Sequence, residues 1–253
     1  ATAQKGTTFY VDGRYLHDPC GNRVILRGAN AMIVYWDRLG TRSYPELAKT
    51  GANCCRIFWS TGHAPEPIMP AADLDKTLQN CWASGMIPMP SLWDATGDWS
   101  KLDACVDYWM RNDVLAVLKK HQNYLLLNIA NEAGSGAQSD FVAKYSAIIK
   151  RLRGAGIRCP LVIDADGWGR RWQSVVENSQ ALLDQDTDRN LIFSWHNWDP
   201  SHWNNGTKAK IKEAVDQSIA KNICFIFGEF GPCEQCNNCS GTRIEWEYMI
   251  EYG

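Results

Sequence analysis

Short apolar runs alternate with helix-like stretches along most of the chain, and that alternation leaves few folds open. The runs lie at 54–59, 86–92, 124–129, 161–164, 191–195 and 224–227. Helical patterns fall between and after them at 72–83, 101–120, 140–153, 170–183, 208–221 and 243–252. A strand that is apolar on both faces is buried on both faces, and strands separated by helices pair in parallel through crossovers. Residues 24–26 read as an earlier strand, which brings the count to seven. A helix around 44–50 stops at Gly51, as a C-terminal glycine makes it. The class is α/β, and 253 residues fit one (β/α)8 barrel, which takes about 250. On this count the eighth βα unit is missing from the chain. No internal repeat or linker interrupts it, so residues 1–253 are expected to form a single barrel domain. Within residues 1–20, Asp12-Gly13 between alternating residues signals a hairpin that closes the barrel bottom.

Two of the apolar runs end in a carboxylate. YLLLNIANE at 124–132 is apolar until it stops at Asn131 and Glu132, and ICFIF at 223–227 runs straight into Gly228, Glu229, Phe230 and Gly231. In α/β barrels the C-terminal edge of the strands carries the chemistry. Taken singly, each glutamate reads as well as a helix cap or a solvated loop acid. Two at the ends of separate buried strands are the minimum set for cutting a glycosidic bond.

Composition narrows the partner. A formal charge of -2 without a basic run argues against nucleic acid. Twelve tryptophans exceed what one core needs, and aromatic rings stack on sugar faces. Trp36, Trp59, Trp93, Trp99, Trp168, Trp195, Trp198 and Trp203 follow predicted strands closely; Trp93, Trp168 and Trp198 are the favoured substrate contacts.

Ten cysteines suggest oxidised pairs and a secreted, extracellular protein. No apolar run approaches the roughly 20 residues that span a bilayer, so no membrane partner is expected. Ala1 opens without a signal peptide, which reads as a processed form. Sequons stand at Asn205 and Asn238. CEQCNNC at 233–239 has a spacing that suits zinc or an iron–sulfur cluster, but it lacks a fourth ligand and reads better as a disulfide-stapled loop. Cys54 and Cys55, adjacent on a strand, point to opposite faces. His17, His63, His121 and His202 show no metal-like spacing. No GxGxxG, P-loop or GxSxG occurs, so neither cofactor nor metal is expected.

Several motifs, in order, resemble the endo-β-1,4-mannanases of glycoside hydrolase family 5: RGAN at 27–30, GANCCRIFW at 51–59, WDATG at 93–97, NIANE at 128–132, IDADGWGRRWQ at 163–173, FSWHNW at 193–198 and FGEFG at 227–231. The resemblance implies a monomeric (β/α)8 enzyme that hydrolyses mannan, glucomannan or galactomannan with retention. It implies Glu132 as general acid/base and Glu229 as nucleophile. Arg56 would bond the nucleophile, Asn131 would hold the sugar 2-hydroxyl, and His196 would assist. Asp94, within WDATG, and Trp36, among the rings that follow predicted strands, join the expected substrate contacts. Trp93 stands where the family usually has His, and Trp198 where a Tyr often bonds the nucleophile. The rival readings are an endo-β-1,4-glucanase, since two carboxylates do not read the 2-hydroxyl orientation, and a carbohydrate-binding barrel without turnover.

Overall fold

The computed structural model describes residues 6–62, 69–235 and 240–253. Its centre is a seven-stranded, wholly parallel sheet: β4 (Gly28–Ala31), β5 (Cys54–Trp59), β6 (Ile87–Leu92), β7 (Leu127–Asn128), β8 (Leu161–Asp164), β9 (Leu191–His196) and β10 (Phe225–Glu229), paired in chain order. This is a (β/α)8-type barrel with seven strands among the described residues. Asn30 Nδ2 donates to the Gly228 carbonyl at 3.2 Å across the seam between the edge strands β4 and β10.

The first barrel strand is not at 24–26. β1 (Tyr10–Asp12), β2 (Tyr15–His17) and β3 (Arg23–Val24) make a separate antiparallel sheet. The true strand, Gly-Ala-Asn-Ala, carries no apolar run. Gly28 admits its close approach to β5, because a Cβ there would collide with the backbone carbonyl of Cys54. The hairpin turn also slides by one residue. Asp12 pairs with Tyr15, so Gly13 and Arg14 form the loop, with Gly13 at φ +59°.

Strand alternation sorts the side chains into two layers. Cys54, Ile87, Met89, Leu126, Val162, Ile192 and Cys224 point inward and pack with Phe9, Val11 and Leu16 of the hairpin at the N-terminal end. Their neighbours, among them Cys55, Ile57, Trp59, Leu127, Ile163, Phe193 and Trp195, point outward into the core shared with the helices. Further up the same inward rows stand Arg56, Ser91, Asn128, Asp164 and Ser194, all buried. The barrel is therefore greasy below and polar at the edge where the glutamates end their runs.

The helices α1 (Ser43–Ala48), α2 (Ala71–Ala83), α5 (Phe141–Gly154), α6 (Trp172–Leu183), α7 (Lys208–Ala220) and α8 (Trp246–Tyr252) fall near their predicted spans. The stretch 101–120 is instead two helices, α3 (Leu102–Trp109) and α4 (Asn112–His121). Arg111 is extended at φ -58°, ψ 136° and bonds Asp113 in the first turn of α4 at 2.6 and 3.2 Å, a local alternative to helical continuation. β7 is shorter than the apolar run 124–129. Its neighbour β6 carries Pro88 and Pro90, which have no N–H for a ladder, and Ser91↔Asn128 is the one register pair between the two strands.

The expectation of oxidised cysteine pairs fails for most of the chain. Cys20, Cys54, Cys55, Cys81, Cys105, Cys159 and Cys224 carry free thiols; all but Cys20 are buried and serve as small apolar core residues. Cys54 and Cys55 do face opposite layers. Cys236, Cys239, His63 and the Asn238 sequon lie outside the described residues. At the other sequon, the Asn205 amide is bonded at both ends, by Trp172 Nε1 and to the Arg170 carbonyl. Among the described residues no helix is long and apolar enough to cross a membrane.

Candidate active site

Glu132 follows β7 and Glu229 ends β10, so both carboxyls project from the C-terminal edge of the sheet. One oxygen of each, together with a ring nitrogen of His196, forms a set whose members all lie within 4.8 Å of one another. A separation near 5 Å suits a carboxylate that attacks carbon directly; a wider gap of about 6.5–9.5 Å is needed to seat a water. Glu132 has φ +44°, a region that a non-glycine residue enters at a cost and that marks functional turns. Two backbone bonds hold it there: its N–H donates to Asp164 Oδ2 at 3.2 Å, and its carbonyl accepts from Gly97 N–H at 3.0 Å.

Arg56, only 4% exposed, is the hub of the polar layer. Its Nη1 donates to Glu229 Oε2 at 3.1 Å and lies 3.3 Å from Asn30 Oδ1. Its Nη2 faces Asn131 Oδ1 at 2.7 Å, Asn128 Oδ1 at 2.8 Å and Asp164 Oδ2 at 2.9 Å. The other oxygen of Glu229 accepts from Trp198 Nε1 at 3.0 Å. Each oxygen of Glu229 thus has a donor that does not lose its proton in the working pH range. Trp198, one of the favoured substrate contacts, is tied to the site through its indole N–H on this carboxylate. Gly231 makes room for it, because a Cβ there would lie 2.8 Å from the ring.

His196 is fully buried between carboxylates. Nδ1 lies 2.8 Å from Glu132 Oε1 and 3.8 Å from Glu229 Oε2, while Nε2 lies 3.4 Å from Asp164 Oδ2. The last contact lacks hydrogen-bond geometry, so it is a coulombic link. Burial is the largest single influence and favours the neutral ring, but the charge of Asp164 and the contacts with Asp164 and Glu132 together raise the imidazole pKa to about 10. Burial likewise opposes ionisation of Asp164, yet His196 and Arg56 hold that carboxyl well below the usual carboxylate range. The spacing of Glu132, His196 and Glu229 is short enough to chelate an ion, but a protonated imidazole has no lone pair to offer one.

The other expected contacts divide. Asn131 is buried, with its Oδ1 on Arg56 and its Nδ2 donating to Thr96 Oγ1 at 2.8 Å. Asp94 accepts from the Thr61 hydroxyl at 2.7 Å, the Thr61 N–H at 2.9 Å and the Ser60 hydroxyl at 3.2 Å, so it secures the loop after β5. Trp93 packs on Phe58, ring centroids 4.6 Å apart. Trp36, Trp168 and Trp203 are 62, 45 and 55% exposed. Trp59 and Trp195 are fully buried and face the helices; Trp99 stacks on Phe141 and bonds Asp140. These three are structural.

Trp168 sits in an unusual turn. Gly167, Trp168 and Gly169 have φ of 61, 59 and 70° in succession, and the Trp168 N–H donates to the Gly134 carbonyl at 2.9 Å. Its ring rests on Gly97, where any Cβ would collide with the indole. Trp168→Ala tests the sugar contact expected of this ring: KM for oligosaccharide should rise about 2- to 10-fold, the scale of one aromatic contact, with kcat little changed. Steady-state kinetics on a chain-length series checks it; an unchanged KM would remove Trp168 from the binding surface.

Asp164 escaped the sequence reading as a site residue, although its signal was present: LVID at 161–164 ends in an acid just as the other two runs do. Asn128 and Ser91 carried none, being polar residues inside runs that read as plain strand.

A model of the cellulase family, glycosyl hydrolase family 5, matches residues 21–253. A mannan endo-1,4-beta-mannosidase of Salipaludibacillus agaradhaerens is 31% identical over 229 residues, covering 88% of this chain and 71% of that protein. Another, from Cellvibrio japonicus, is 28% identical over 239 residues, covering 91% of this chain; the chain spans 54% of its length. A solved mannohexaose complex of a Thermomonospora fusca beta-mannanase superposes with a TM-score of 0.84 at 25% identity, over 97% of this chain and 80% of that one.

Proposed function

Because the chain belongs to glycosyl hydrolase family 5, the cellulase family, we propose that it cleaves internal β-1,4 bonds of mannan, glucomannan or galactomannan with retention at the anomeric carbon. The observation that carries this reading is the approach of Glu132 and Glu229, with one carboxyl oxygen of each within 4.8 Å of the other. The named mannosidase relatives support mannan over glucan.

Glu229 is the nucleophile of this proposal. Arg56 and Trp198 each donate to one of its oxygens, which fixes the carboxylate as an anion aimed from the sheet edge. Glu132, bonded by His196 instead of a guanidinium, donates a proton to the departing glycosidic oxygen as Glu229 attacks the anomeric carbon. The glycosyl ester then yields to a water from which Glu132 removes the proton. Asn131, with its amide fixed by Arg56 and Thr96, is the candidate donor to the 2-hydroxyl, and Trp36 and Trp168 are candidate platforms for neighbouring sugars. The whole chain acts as one catalytic domain and as a monomer. Its polymeric substrate, too large to enter a cell, supports secretion.

Reducing-sugar release from galactomannan, glucomannan and carboxymethylcellulose tests the substrate, and proton NMR of the first product tests the stereochemistry. The expected result is turnover of both mannans above the cellulose derivative, with the β-anomer formed first. An α-anomer appearing first would overturn retention, and a preference for carboxymethylcellulose would favour the glucanase reading.

A further inference from the structure

Asp164 is buried beneath the two glutamates and is needed neither for attack nor for proton donation. It nevertheless touches both cationic groups of the site and the backbone of Glu132. It accepts from Arg56 Nη2 at 2.9 Å, from Asn128 Nδ2 at 3.1 Å and from the Glu132 backbone N–H at 3.2 Å, and it faces His196 Nε2 at 3.4 Å. We propose that Asp164 is a positioning residue whose fixed negative charge makes the site neutral when one, and only one, of the two catalytic glutamates is ionised. This deepens the function proposed above and rests on it.

The charge count follows from the groups that face His196: Arg56 from β5, Glu132 from the turn after β7, Asp164 from β8 and Glu229 from β10. Tyr145 of α5, fully buried, contributes a neutral phenol held protonated by burial and by Asp164. Glycines close the remaining sides, since a Cβ at Gly169 would lie 2.7 Å, and one at Gly228 3.0 Å, from the His196 ring. Arg56 and His196 bring two positive charges and Asp164 one negative, so a single further anion completes neutrality.

Before attack that anion is Glu229, and Glu132 keeps its proton. After attack Glu229 is a neutral ester, the proton has left with the departing oxygen, and Glu132 is the anion. Water then returns one proton to Glu132 and its oxygen to the sugar, and the Glu229 carboxylate is freed. The total is zero at each stage. A buried cluster disfavours net charge, so the constant contribution of Asp164 is what lets the charge pass from one glutamate to the other without a penalty at either end.

Without Asp164 the same count leaves an unmatched positive charge, which expels a proton from the His196–Glu132 pair. Asp164→Asn is therefore expected to move the alkaline limb of the kcat/KM profile to lower pH by at least about one unit, and Asp164→Glu, which keeps the charge, to leave that limb near the parent's while lowering the rate. Nitrogen-15 NMR of His196 reads the same charge without turnover. The parent should show an imidazolium at about pH 7.5, and the Asn variant a ring that titrates between about pH 5 and 8.

A neutral His196 in the parent at that pH overturns the proposal, as does an Asn variant with an unmoved alkaline limb or an unmoved His196 titration. If the Asn variant does not fold, the parent spectrum decides. A parent that hydrolyses neither mannan nor glucan sinks the proposed function instead, and the His196 titration still decides the role of Asp164.

Discussion

The Glu229→Gln protein is expected to bind mannan oligosaccharide with near-parental affinity and to release product at least about 10⁴ times more slowly, the scale on which loss of a covalent nucleophile is felt. An amide is a poor nucleophile, and nothing else at the sheet edge offers an ionised oxygen at the same place. The substitution keeps the side chain's shape and the acceptor for Arg56, but it turns an amide NH2 toward the Trp198 indole N–H and removes one negative charge from a group 18% exposed. The melting temperature should therefore fall modestly while the fold is kept. Initial rates with calorimetric binding on the same preparation check this. Turnover near the parental rate would sink the nucleophile assignment, and loss of binding together with turnover would point to a disrupted cleft.

Arg56→Ala should damage both folding and activity. Six acceptors converge on this guanidinium from five strands and one loop: Glu229, Asp164, Asn128, Ser91 and Asn30 from strands, and Asn131 from a loop. Removing it strands two carboxylates, one of them fully buried, and breaking one side of a buried ion pair costs about 3–5 kcal/mol. Denaturant melts should show a destabilisation of that size, and residual activity should fall at least about 10²-fold, the scale of a lost electrostatic contact in a dry site. Arg56→Lys keeps the charge but has no planar fork to divide between Glu229 and Asp164, so it should recover part of the stability and little of the activity. Full activity in the Lys variant would show that a point charge suffices.

Much of this site was legible because the barrel writes it at strand ends. An apolar run that stops at an acid announces both a strand and the edge at which it stops, which is how Glu132 and Glu229 stood out. The runs at 54–59 and 161–164 coincide with β5 and β8 because strands buried on both faces leave no room for polar interruption. The first strand was misplaced for the opposite reason. Ala31 and its neighbours lie on a sheet edge with alternating exposure, while the apolar signal at Val24 belonged to the small antiparallel sheet. Strand parity sorts the tryptophans that sit within strands. Arg56 points inward, so Trp59, three residues on, points out; His196 points inward, so Trp195 points out. The cysteine count misled because an even number is also what chance placement of core thiols produces. Asp164 was hidden by its neighbours' success, since two acids already satisfied the chemistry sought.

The way Glu229 is held bears on how it attacks. Arg56 donates to one of its oxygens and Trp198 to the other, so its aim is set by two side chains that reach it from different elements. The attacking group works like a lamp on a hinged arm, steadied by two stays.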